Sequence, residues 1–263
     1  MVFTPVAMKL DLAKELAEEL SIEEVFSFKI GNTSISVDES TVVSVIITVA
    51  MTVLALILTR NLKVEGELTK RQLLLEMLYT KAEDFFKGML EPKAYGYIPW
   101  LMSVALYIGV ANIIGLFGMK PPTKSMQVTA VLAVTSIVLV EYAGIRAKGL
   151  GGRLKAFAKP VWIITPINIL ELFTKPMSLC MRLFGNVLAA FTIMELIKIV
   201  LRNIYIPVID LIPSLYFDIF DGLLQAYIFV FLTTIYISEA VETPEEEPKE
   251  KKIKHKKLKT KTN

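Results

Sequence analysis

The sequence predicts an all-α polytopic membrane protein with about five membrane helices, and three observations predict it. Hydrophobic residues make up 54% of the 263, and the mean hydropathy is +0.54. Both are high for an ordinary soluble domain. Charge is also unevenly placed: Asp and Glu crowd the first 40 residues and Lys the last 25. Between them lie several uncharged runs of the length a helix needs to cross the hydrocarbon layer, about 20 residues.

The elements follow in order. Residues 1–40 form an extracytoplasmic flank, with a surface helix over 9–20 (Leu10, Leu12, Ala13, Leu16, Ala17 and Leu20 among charges). A hairpin over 26–37 turns at Gly31-Asn32. No apolar signal-peptide core stands in the first 25 residues. The membrane domain covers 41–240. Thr41 to Thr59 gives 19 uncharged residues, the first span. Ala94 to Met119 gives 26 and holds a second span over 97–118. Ser125 to Val140 gives 16, and tolerance of Glu141 near a helix end extends the third span to 125–145. The stretch 161–201 is one long helix, tilted or bent near Pro166 and Pro176. A last element over 204–238 contains the uncharged run Gly222 to Ser238, with Pro207 and Pro213 shaping its start. Residues 241–263, with Glu and Lys runs, read as a disordered tail.

Several function classes drop out. The single cysteine, Cys180, excludes a disulfide scaffold, and with His255 the only histidine there is no Cys/His zinc site and no Ser-His-Asp or Cys-His catalysis. No cofactor is expected. Lys148-Gly-Leu-Gly-Gly152 lacks the Gly-Lys-Ser/Thr of a phosphate loop and reads as a turn. A net charge of +3 says nothing of nucleic acid, because the basic residues flank the spans. Their distribution sets orientation instead. Arg60 to Lys93 holds seven Lys and Arg, Arg146 to Lys159 five and the tail eight, against six on the other side. The N-terminus is expected outside and the C-terminus in the cytoplasm.

The informative residues are those an apolar solvent excludes, since each charge in a span costs about 2.5–3.5 kcal/mol on insertion scales. Glu171, Lys175, Ser178, Arg182, Asn186 and Ala189 are spaced three or four apart and share one face of the long helix. Gly185 and Ala189 form a small-residue pair that lets another helix approach closely. Arg182 stands at mid-helix with a charge it cannot lose. A structural arginine would be paired with a nearby acid, yet Glu171 and Glu195 are 11 and 13 residues away. That is roughly 16–20 Å along the helix. The counter-charge must come from another helix or subunit. Glu195 stands near the outer end of this helix, where pairing with Lys198 is the plainer reading. Asp218, Asp221 and Gln225 fall at i, i+3 and i+7 on the last element. The two acids suit either an interface facing water or a proton path; Gln225 is deeper, near the level of Arg182.

The run Lys175-Pro-Met-Ser-Leu-Cys-Met-Arg182-Leu-Phe-Gly-Asn186 resembles the signature of subunit a of the bacterial F-type ATP synthases. Leu224-Gln225-Ala-Tyr-Ile-Phe-Val-Phe-Leu-Thr-Thr-Ile-Tyr236 is similar to that family's last helix. Weaker blocks agree in family order: Tyr97-Ile-Pro-Trp, Ala111-Asn-Ile-Ile-Gly-Leu116, Pro121-Pro-Thr with Val128-Thr129, and Lys148-Gly-Leu-Gly-Gly. The resemblance implies a stator subunit whose last two helices are long and tilted to face a ring of c subunits. Protons enter by one half-channel, ride the ring on a carboxylate and leave by the other. It implies that Arg182 is the essential arginine, favouring ionised ring carboxylates and blocking a short-circuit. Asn186 and Gln225 match the flanking polar residues, and Asp218 the ionisable position seven before the glutamine.

Two departures stand out. The outer-channel position nine after the arginine is Phe191, with Glu195 one turn further on as its replacement. The usual Asp and Asn after Pro-Thr are Ser125 and Gln127. The expected proton-translocation set is Arg182, Asn186, Gln225, Asp218, Glu195, Ser178 and Glu171. Expected partners are the c-ring, peripheral-stalk b subunits, other ATP synthase subunits, membrane lipid and protons, in a bacterial plasma membrane; nucleotide chemistry belongs to other subunits, so the chain is no catalyst alone. Sodium coupling of the same subunit is the alternative. A secondary transporter with an anion-binding arginine would require inverted repeats, which the sequence lacks. A structural scaffold would tolerate loss of Arg182.

Overall fold

A computed structural model describes residues 24–30, 33–62, 69–117, 119–157, 165–201 and 213–242. The helix expected over 9–20, the turn at Gly31-Asn32, the first part of the last element (204–212) and the tail from 243 lie outside the described residues.

Strands β1 (Glu24–Ile30) and β2 (Thr33–Asp38) pair antiparallel, from Ile30 opposite Thr33 to Glu24 opposite Asp38, with an irregularity between Glu24 and Phe26. β2 runs directly into helix α1 (Glu39–Thr59), where the last strand residue, Asp38, takes the N-cap position. Only Ser40, Val43 and Ile47 of α1 are buried, whereas Val45, Ile46, Val49, Val53, Leu54, Leu56 and Ile57 are exposed. An apolar helix so open to its surroundings is built for lipid. At its end Asn61 turns the chain with φ +63°, and Arg71 donates to the Arg60 carbonyl at 2.7 Å.

Hydropathy marks no element over 60–93, yet helix α2 (Lys70–Lys87) fills most of it. Thr69 caps it, accepting from the Gln72 amide. Its charges alternate with Leu73, Leu74, Met77 and Leu78, all exposed. A 3-10 turn, Pro92–Tyr97, leads into α3 (Ile98–Ile113). Two further 3-10 turns, Ile114–Phe117 and Pro122–Lys124, lead to α4 (Met126–Phe157). This third span continues well past residue 145 because the glycine turn is confined to Gly149 (φ +72°), with helix on both sides of it.

Helix α5 (Thr165–Leu201) has 37 residues, with Pro166 in its first turn, where a missing N–H costs nothing, and Pro176 inside it. At 1.5 Å per residue it is roughly 55 Å long, well beyond the hydrocarbon thickness. A π-helical turn, Leu215–Asp221, opens into α6 (Gly222–Val241).

Five of these elements are long and apolar enough to cross a membrane: Glu39–Thr59, Pro92–Phe117, Met126–Arg153, Thr165–Ile199 and Leu215–Val241. α3, α4, α5 and α6 pack into one bundle around Leu101, Ile108, Leu179, Leu183, Phe229 and Ile237, while α1 lies against it at its periphery. Ser44 of α1 shares a hydrogen bond with Tyr107 of α3. The bundle's two ends are marked by Pro122 and by Gly149.

Candidate functional site

Helix α5 divides cleanly into two faces. Leu179, Cys180, Leu183 and Val187 are buried in the bundle, while Ser178, Arg182, Gly185, Asn186 and Ala189 are exposed on the opposite side. The spacing of three and four that put the polar residues on one face therefore turns that face outwards. Arg182 sits near the middle of the helix and, among the described residues, has no ion-pair or hydrogen-bond partner. It is a fixed cation at mid-length of a membrane-length helix, on a face it shares with Gly185 and Ala189, and such a charge is costly without a counter-charge.

One turn along, Asn186 donates from Nδ2 to Gln225 Oε1 at 2.7 Å, tying α5 to α6. Gln225 is 1% exposed and its Nε2 has no partner among the described residues. A buried donor left unsatisfied costs about 1–3 kcal/mol, so this amide is poised for a water or an incoming acceptor. Asn186 and Gln225, 39 residues apart, thus meet beside the arginine.

Towards the Gly149 end, the charges pair across helices. Lys175 Nζ lies 2.9 Å from Glu239 Oε2 on α6 and 3.5 Å from Glu171 Oε2 on its own helix, over the Tyr236 ring at 4.9 Å. Arg153 donates twice to Glu141, from Nε at 3.0 Å and Nη2 at 2.7 Å, across the Gly149 turn. These groups, with Lys148, Asn168 and Glu242, line a half-open cleft of about 420 Å³ between α4, α5 and α6. Glu171 therefore stands in an ion-pair network at the cleft, and Ser178 lies on the same helix between it and Arg182.

Towards the Pro122 end, Glu195 pairs with Lys198 at 2.7 Å, with 13% of its own side chain exposed. Asp218 belongs to the π-helical turn, and its side chain is outside the described part; Asp221 is half-buried. The i, i+3, i+7 spacing of Asp218, Asp221 and Gln225 assumed regular winding. The i→i+5 bonding of the π-turn replaces that winding over Leu215–Asp221, and regular α-helix resumes at Gly222.

Sequence reasoning missed a clamp at this end. Asn112 donates to the Gly222 carbonyl at 3.1 Å and accepts from Thr123 Oγ1 at 2.7 Å. A Cβ on Gly222 would stand 2.8 Å from Asn112 Cβ, so only glycine permits this approach of α3 and α6. The signal was present: an asparagine closing an apolar span and a glycine opening one. Also missed was Lys124, 5% exposed, with its ammonium 4.0 Å from the ring centre of Phe191. No cluster of potential metal ligands occurs among the described residues.

The family model for the ATP synthase A chain matches residues 41–238, which hold Arg182, Asn186, Gln225 and the Asn112–Gly222 clamp. The chain belongs to the ATP synthase subunit a family. It is 33% identical over 215 residues to ATP synthase subunit a 2 of Bradyrhizobium sp. (strain BTAi1), covering 81% of this chain and 92% of that one. It is 34% identical over 186 residues to ATP synthase subunit a of Nitrosospira multiformis, covering 70% and 71%. It is 34% identical over 206 residues to ATP synthase subunit a of Staphylococcus aureus, covering 72% and 84%. Membership makes the chain a multi-pass membrane protein and an ion-translocating subunit of the ATP synthase complex, not a catalyst by itself.

Proposed function

We propose that this subunit a conducts protons to and from a ring of c subunits that docks on the exposed face of α5, with Arg182 as the coupling charge. The observation that carries the reading is Arg182 itself, a permanent cation at mid-helix, on an outward face of small residues, without a partner among the described residues.

A ring carboxylate arriving at this face supplies the missing counter-charge. At an effective dielectric near 20, opposite charges 4 Å apart attract by about 4 kcal/mol. That favours the ionised carboxylate over the protonated one, so a proton leaves as the site reaches Arg182. It is also small enough for rotation to undo: one charge moved through 100 mV is worth about 2.3 kcal/mol. Because a proton cannot pass a fixed cation without large cost, Arg182 separates two half-channels. Asn186 and Gln225 flank the contact and offer polar, reorienting groups to the carboxylate.

The positive-inside distribution of Lys and Arg supports a cytoplasmic Gly149 end and an N-terminal hairpin outside. The cleft at that end, with Glu171, forms the inner half-channel, and Ser178 links it to the level of the arginine. Glu195 and Asp218 belong to the outer one. Peripheral-stalk b subunits hold the chain stationary against the ring. The plasma membrane of a bacterium is the setting, and protons rather than Na+ are the coupling ion.

Inverted membrane vesicles carrying the assembled complex test this. Arg182→Ala abolishes ATP-driven acidification of the lumen while the complex still assembles, and Arg182→Lys restores little of it because a compact ammonium on a shorter reach replaces the planar fork. Full acidification by Arg182→Ala would end the proposal.

A further inference from the structure

One ammonium in the cleft at the Gly149 end is held from three sides. Lys175 Nζ lies 2.9 Å from Glu239 Oε2 on α6 and 3.5 Å from Glu171 Oε2 one turn back on α5, with the Tyr236 ring centre 4.9 Å away. Two carboxylates and an aromatic face, carried by two helices, make a seat for a cation. The seat is open to the cleft: the Glu171 and Glu239 side chains are 53% and 54% exposed, against 27% for Lys175. Of the other charges lining the cleft, Glu141 is held by Arg153, and Lys148 and Glu242 stand alongside.

The location gives the seat a consequence. Lys175 precedes Arg182 by seven residues, about 10 Å along α5, with Ser178 between them. Its partner Glu171 is the acid of the inner half-channel in the reading above. Carboxylate oxygens open to the cytoplasm are also the ligands that hard metal cations take. A metal ion lodged between Glu171 and Glu239 would occupy the acid the path needs. An ammonium on the same helix fills the seat first, because its approach is intramolecular and is not diluted as a free ion is. Its three donors on a flexible stem suffice for both carboxylates. A proton relayed between acids and water needs no vacant seat of ionic size.

We propose that Lys175 is a specificity-determining residue of the inner half-channel, a built-in counter-ion that fills the cation seat between Glu171 and Glu239 and keeps metal ions out of the proton path. The inference rests on the proton-conducting reading above. Removing the ammonium empties the seat and leaves two acids within reach of one ion. No group of three potential metal ligands occurs among the described residues. Ca2+ therefore binds the emptied seat with water completing its shell, and weakly, on the order of 1 mM.

The experiment measures passive proton flux into inverted vesicles stripped of the peripheral catalytic sector, whose cytoplasmic face meets the medium. Potential, pH and ionic strength are held constant while Ca2+ is raised outside to about 10 mM. Each flux is normalised to that of the same variant without Ca2+. Wild type holds its flux across the series. In Lys175→Met, which keeps the apolar stem and loses the charge, flux falls along a saturable curve, to half at roughly 1 mM. The double variant Lys175→Met/Glu239→Gln, which also removes one wall of the seat, loses that sensitivity. Lys175→Arg, which keeps the charge, holds its flux as the wild type does. A merely structural role would lower the flux of Lys175→Met alike at every Ca2+ concentration. Ca2+-independent flux in Lys175→Met, or equal block in the wild type or the double variant, overturns the proposal. If Lys175→Met fails to assemble or to conduct, Lys175→Gln carries the same test. Wild-type flux no greater than that of vesicles lacking the membrane sector ends the proton-conducting reading itself. Normal wild-type flux with a Ca2+-insensitive Lys175→Met ends only the role of Lys175.

Discussion

Helix α5 carries charge on both sides of Arg182, and the two sides handle it differently. Towards the Gly149 end, Glu171, Lys175 and Glu239 pair between α5 and α6 around an open cleft, and Glu141 and Arg153 pair across a turn on its rim. Towards the Pro122 end, Glu195 pairs with its own helix neighbour Lys198, Lys124 is packed against an aromatic ring, and the helices are held by the uncharged Asn112 clamp. One end is charged, paired and half-open; the other is tight and clamped by neutral groups. Ion pairs in a half-open cleft are cheap to break and remake, whereas a neutral clamp depends on close fit. In between stands Arg182, a cation without a partner among the described residues.

The clamp offers the strongest way to break this contrast. Gly222→Val places a branched side chain where even a Cβ stands 2.8 Å from Asn112 Cβ. The expected cost is about 2–3 kcal/mol from overpacking and the lost Asn112 hydrogen bond. The thermal midpoint of the purified complex should fall measurably and pumping with it. An unchanged midpoint would show that the Pro122 end is looser than its geometry says.

At the Gly149 end a smaller effect is expected from Arg153→Met. Its guanidinium is 16% exposed and Glu141 25%, so the variant strands a partly wetted carboxylate. A loss of about 1–2 kcal/mol follows, discounted for solvent screening, and high salt should narrow the gap between variant and wild type. A salt-independent loss would point to packing around Gly144, whose hypothetical Cβ lies 3.0 Å from Arg153 Nε, rather than to charge. Lys198→Ala sharpens the comparison from the weak side. The Lys198 side chain is 50% exposed, and an i, i+3 pair of this kind contributes about 0.5 kcal/mol or less. Its removal should leave the thermal midpoint nearly unchanged.

How much of this the sequence discloses follows from what surrounds each part. The five membrane-length helices are legible because a hydrocarbon solvent forbids charge over about 20 residues, and the uncharged runs show directly. Arg182 is legible for the same reason, as an exception to it. Helix α2 is not, because a surface helix that alternates charges with leucines leaves no trace in a hydropathy average; only its Thr69 cap and its period betray it. The π-turn before α6 is not legible, because such a turn carries no reliable sequence mark. Nothing in the sequence around Lys124 marks it, and its burial over Phe191 emerges only when α5 is folded against the Pro122 turn. The length of α4 beyond residue 145 was hidden by a glycine-rich stretch of which only Gly149 leaves helical geometry.

The central claim is that Arg182 is a barrier and coupling charge whose partner lies on another subunit. Its most direct test is passive proton conductance of inverted vesicles stripped of the peripheral catalytic sector, wild type against Arg182→Ala, after assembly of the membrane sector has been verified. With a fixed potential applied, the account predicts faster proton flux through Arg182→Ala, because nothing then separates the two half-channels. Flux equal to that of the wild type would contradict it.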